Sequence, residues 1–155
     1  MSDMSNEISY ATTTEVRDAC LCLHVQRAAR ALARRFDEVL RPVGLTNGQF
    51  SLLMALNRPE PPPPGPVAAL LAMDRTSLTA LLKPLQRRGL IEIVVPEEDR
   101  RARRLKLTAE GVATLARALP LWRRHHGALE AALPMGADAA REALSAVTSA
   151  ASEGF

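Results

Sequence analysis

The chain has 155 residues, 47% hydrophobic and 24% charged, which suits one folded domain, and no apolar run approaches the ~18 residues of a membrane span. Two cysteines and three histidines are too few for a disulfide scaffold or a multi-ligand zinc finger, and neither GxxxxGK nor HExxH occurs, so no metal or cofactor is expected. The net charge is +3, and its excess is local: residues 74–106 hold nine Lys and Arg against five Asp and Glu, the remainder eleven against twelve.

Residues 1–13 lack periodicity and read as a mobile arm, with acids and hydroxyls where a secretion signal would be basic and then apolar, so a cytoplasmic protein is expected. From Thr14 one long helix is predicted: Leu21, Val25, Ala28, Leu32, Phe36 and Val39 recur at helical spacing, and the pattern stops before Pro42 and Gly44. Thr46 and Gln49 fit a capping box that opens a second helix, with Leu45 against Phe50 as its hydrophobic staple. The prolines from Pro59 to Pro66 then form a semi-rigid extended connector. A short third helix is expected from Val67 to about Ala72, and Asp74 caps a fourth that runs to Gly89, where Pro84 should bend or end it. Helices joined this tightly make a helix-turn-helix. Ile91 to Val95 and Arg104 to Leu107 alternate as the strands of a hairpin with a charged tip. Thr108 caps a fifth helix that Pro120 should kink, and an Ala-rich helix over about 137–151 ends the chain.

The fold class is therefore mainly α with a small β-hairpin wing. Its divisions are a winged helix-turn-helix over 45–107, a first dimerisation helix over 14–44 and C-terminal dimerisation helices over 108–155. Such a unit suits double-stranded DNA, because a helix fits the major groove and a basic tip reaches the adjacent minor groove. At the start of the recognition helix Arg75, Thr76, Ser77 and Thr79 are donors beside free backbone N–H groups, with Lys83 further along the groove. At the wing Asp99, Arg100, Arg101 and Arg103 stand together, and Asp99 can hold Arg101 by an ion pair. The competing reading of that tip is a solvated turn of mixed charge.

The segment VAALLAMDRTSLTALLKPLQRRGLIEIVVPEEDRRARRLKLTAEG resembles the MarR family of bacterial transcription regulators, and the similarity extends through GLTNGQFSLL to most of residues 15–150. Its most specific part is the D-x-R-A wing motif, Asp99 to Ala102, followed by LKLTAEG. The resemblance implies a homodimer with interlocked terminal helices, two winged helices on a pseudo-palindromic operator, and repression relieved by a small molecule or an oxidant. It makes Arg101 the minor-groove arginine and Asp99 its support. Ala80 stands where many members carry a polar or basic residue.

A dimer is also expected because the terminal helices carry apolar faces that a small winged-helix core cannot cover. For the signal, Cys20 and Cys22 lie where oxidation-sensing branches of the family use a cysteine, although Gln26 and Phe36 stand where those branches carry tyrosines. On one continuous helix they point about 200° apart, so a disulfide would require unwinding; inert core packing is the alternative. An effector pocket can form between Leu32, Phe36 and Trp122, with Arg30 or His125 binding a carboxylate or phenol, against a plain core tryptophan. Cys20, His24, His125 and His126 make a poor metal set, since adjacent histidines diverge on a helix. A winged helix used only to bind protein is the alternative function. An enzyme is disfavoured, since no nucleophile pairs with a base at recognisable spacing.

Overall fold

The computed structural model describes residues 8–153, so the first seven positions of the expected arm lie outside the described residues. From Tyr10 onward that arm is helical, which corrects the reading there. The Ser9 hydroxyl accepts the Thr12 N–H at 3.2 Å and caps α1, Tyr10–Ala19.

The single long helix is also corrected. It is broken at Cys20, whose backbone is extended (φ −70°, ψ 105°) between α1 and α2, Leu21–Leu40. Cys20 serves both ends of the break: its N–H closes α1 on the Val16 carbonyl at 2.9 Å, and its sulfur accepts the Leu23 N–H at 3.4 Å to cap α2. A 3-10 turn, Arg41–Val43, and Gly44 in the left-handed region at φ 69° then reverse the chain.

Both halves of the capping box form at α3, Asn47–Leu56: the Gln49 N–H donates to Thr46 Oγ1 at 3.2 Å and the Thr46 N–H to Gln49 Oε1 at 3.0 Å. The short helix α4, Pro64–Leu70, opens three residues before the expected Val67. Pro64 and Pro66 fall in its first turn, where backbone N–H groups lack intrahelical partners and a proline costs nothing. Asp74 caps α5, Arg75–Arg87, through the Ser77 N–H at 2.7 Å. This helix continues past Pro84 to Arg87, so the proline does not end it, and Gly89 at φ 69° turns the chain into the hairpin.

Strands β1, Ile91–Val94, and β2, Arg104–Leu107, pair antiparallel with Ile91 opposite Leu107 and Ile93 opposite Leu105. Helix α6, Ala109–Ala131, runs through Pro120 as one element of 23 residues, and α7, Ala137–Ser152, follows. The core gathers Leu40, Leu52, Leu53, Val67, Leu78, Leu85, Ile91, Leu105 and Ala118, where the end of α2, helices α3 to α5, the hairpin and the start of α6 meet. Helices α1 and α7 bury no residue, and Tyr10, Val16, Leu21 and Leu144 are exposed. Among the described residues no helix is long and apolar enough to cross a membrane.

Candidate nucleic-acid interface

The N-terminus of α5 is built by Asp74. Its carboxylate takes both the backbone N–H and the hydroxyl of Ser77, at 2.7 and 3.0 Å, and these bonds hold the carboxyl below the usual carboxylate range. The Ser77 hydroxyl is thereby committed to the cap. Thr79 likewise donates its hydroxyl to the Arg75 carbonyl at 2.8 Å, leaving an acceptor oxygen outward. Arg75, Thr76, Thr79 and Lys83 are exposed. Apolar positions Leu78, Leu82 and Leu85 turn the opposite face of α5 into the core, which is why the polar ones face out.

The hairpin stands beside this exposed face. Arg75, Thr79 and Lys83 from α5 and Arg103 from the hairpin line one cleft of about 400 Å³ floored by Leu78, Leu82, Ile93 and Leu105. At the tip, the expected ion pair between Asp99 and Arg101 is replaced by an Asx turn: Asp99 Oδ1 accepts the Arg101 backbone N–H at 2.9 Å, and the Asp99 carbonyl accepts the Ala102 N–H at 3.1 Å. The carboxylate shapes the turn, and the Arg101 side chain is exposed. Arg103 braces the same turn, donating to the carbonyls of Arg100 at 3.1 Å and Ala102 at 2.9 Å, while Arg100 is exposed.

Three residues outside the sequence-based set tie this unit together. Asp37 on α2 accepts the Asn47 N–H at 2.7 Å, placing a carboxylate at the N-terminus of α3. Arg88, just after α5, donates to the Gly44 carbonyl at 2.7 Å. The Pro62 carbonyl accepts the Leu105 N–H of β2 at 2.8 Å. None has a local signal, since each bond spans ten or more residues.

Of the expected pocket residues, Leu32, Phe36 and Trp122 line a cavity of about 370 Å³ with Asn47, His126 and Leu129. The histidine is His126, not His125, and stacks on Trp122 with ring centroids 4.3 Å apart. Arg30 is not in the lining; its guanidinium donates to Gln26 at 3.3 Å along the helix. Cys22 accepts a bond from Gln26 at 3.1 Å, and His24 bonds the Asp18 carbonyl at 3.0 Å. Among the described residues no three His, Cys, Asp or Glu side chains gather around a shared point for a metal ion.

The MarR family model matches residues 43–102, which span the helix-turn-helix and the wing through Ala102. The M. tuberculosis transcriptional regulator MosR, solved in complex with DNA, is 36% identical, with a TM-score of 0.78 over 85% of this chain and 96% of that one. The chain belongs to the MarR family. A second MarR-like structure, the transcriptional repressor CouR bound to a 23-mer DNA duplex, is 32% identical with a TM-score of 0.73, covering 94% of this chain and 99% of that one. CouR bound to p-coumaroyl-CoA gives 32% and 0.71 over 90% and 96%. The transcriptional activatory protein BadR of Rhodopseudomonas palustris is 31% identical over 94 residues, 59% of this chain and 54% of its own length. The chain thus spans about half the length of the curated relatives it matches. MosR, CouR and BadR are all regulators of transcription.

Proposed function

We propose that this chain is a cytoplasmic, sequence-specific transcriptional regulator that binds double-stranded DNA as a homodimer and acts as a repressor. The observation that carries this reading is the shared cleft of α5 and the hairpin, in which Arg75, Thr79, Lys83 and Arg103 converge while Arg101 extends from the tip. Arg75 reads a base edge, Thr76 and Thr79 meet phosphate or a thymine methyl, Lys83 and Arg100 meet phosphate, and Arg101 enters the minor groove. Ser77, Asp99 and Arg103 hold those groups in place. Residues 45–107 form the DNA-binding unit, and the helices on either side dimerise. Helices without a buried residue support a second copy as their cover, as does the apolar groove between Leu21 and Val25 of α2 and Val147 and Ala150 of α7.

The signal is thiol oxidation in the first reading. Because Cys20 already lies outside the helix, a bond to Cys22 distorts only the first turn of α2, and the unwinding that a continuous helix would need at Cys20 is avoided. One thiolate attacks a hydroperoxide, giving a sulfenic acid and releasing the alcohol, or water from hydrogen peroxide; the second thiol then displaces water to form the disulfide. A planar apolar or phenolic effector in the Trp122 cavity is the second reading, favoured by its aromatic lining and supported by the ligand-bound CouR.

Selection of genomic fragments on the purified protein tests the proposal. Fragments should be retained at low salt, lost steeply as salt rises, released by peroxide and recovered with dithiothreitol. Retention of no fragment at low salt would refute DNA binding and favour a protein-interaction module.

A further inference from the structure

The Pro-rich run does more than join α3 to α4. Pro62 is buried, and its carbonyl takes the N–H of Leu105 on the edge of β2 turned away from β1. A proline returns no N–H, so the contact is a single bond and the edge is closed to further strands. Pro63 follows in polyproline geometry, φ −71° and ψ 161°, as the residue before α4, and Pro64, the first residue of α4, lines the cleft with Arg75 and Arg103.

The run therefore links the base of the wing directly to the helix-turn-helix. Leu105 lies four residues from Arg101, and Pro62 lies two from the start of α4. A two-stranded hairpin alone is marginal, and although Ile91 and Leu105 anchor its base in the core, the exposed residues beyond them add little to hold its angle. Four consecutive prolines, Pro61 to Pro64, with φ fixed near −65° cannot absorb a change of that angle.

We infer that Pro61 and Pro62 are positioning residues for DNA recognition: they form a rigid strut that fixes the angle between the wing and α5 before DNA arrives. This rests on the reading of Arg101 as a DNA contact. Pre-organisation of this kind removes an ordering cost from binding, so it acts on affinity through the wing alone.

The test is a double-mutant cycle on a retained genomic fragment, crossing Arg101→Ala with the paired substitution Pro61→Gly and Pro62→Gly. In the otherwise unaltered protein Arg101→Ala should cost about 10-fold in affinity, and in the glycine background less than about 3-fold, because a loose wing no longer delivers the arginine. Hydroxyl-radical protection should fade over the minor groove and persist over the major groove. Pro61→Val with Pro62→Val keeps the segment stiff and extended and should bind within about 3-fold of the unaltered protein. Should the glycine pair unfold, Pro61→Gly alone is measured in the same cycle. An equal cost of Arg101→Ala in both backgrounds overturns the strut, as does a valine pair that binds as poorly as the glycine pair. No cost of Arg101→Ala in the unaltered protein instead removes the wing reading on which the strut depends.

Discussion

Arg101→Ala is expected to weaken binding to a retained fragment by about 1–3 kcal/mol, roughly 5- to 150-fold. The Asp99 carboxylate is occupied by the Arg101 backbone N–H, so the wing presents its guanidinium without a carboxylate from its own turn neutralising it. A narrow minor groove concentrates negative potential and favours this weakly hydrated cation. The dependence of log affinity on log salt should fall by about one phosphate equivalent. Arg101→Lys should recover only part of the loss, because an ammonium gives up more hydration on entering the groove. Titration by fluorescence anisotropy at two salt concentrations checks all three expectations. Equal affinity of Arg101→Ala would contradict the role given to the wing.

Gly111→Ala is expected to destabilise the fold by about 3 kcal/mol, at the upper end of overpacking costs. A Cβ at this position would lie 2.1 Å from the Leu90 carbonyl oxygen and 3.3 Å from the Leu107 side chain. The carbonyl cannot retreat freely, because it accepts the Thr108 N–H at 3.1 Å, and Thr108 Oγ1 donates to the adjoining Gly89 carbonyl at 2.6 Å. The first turn of α6 is thus clamped on the junction between α5 and the hairpin. Gly127→Ala, later in the same helix, meets nothing within 4 Å and should stabilise by about 0.5–1 kcal/mol through helix propensity. Urea unfolding of both variants checks the contrast as a shift of midpoint at constant slope.

What was legible in the sequence was local. Thr46, Asp74 and Thr108 cap their helices as read, because a capping side chain and the N–H it accepts lie three residues apart. The alternation of Ile91, Ile93, Leu105 and Leu107 gave the hairpin for the same reason. The break at Cys20 was hidden, since no Gly or Pro marks it. Choosing between His125 and His126 required a helical phase accurate to one residue, about 100° of rotation, which periodicity does not supply. Asp99 takes the backbone N–H of Arg101 and not its guanidinium, because a donor two residues away is reached at lower entropic cost than the end of a long arginine side chain. The bond from Leu105 to Pro62 was invisible for a different reason, because it joins segments 43 residues apart that only the folded core brings together.

Hydroxyl-radical footprinting of the protein on a retained genomic fragment tests the pairing of two helix-and-wing units on one duplex most directly. Two-fold symmetric protection is predicted, with major-groove centres separated by about one helical turn of 10 base pairs or a multiple of it, flanked by minor-groove protection. A single asymmetric footprint, or protection of the major groove with none at either flank, would contradict it.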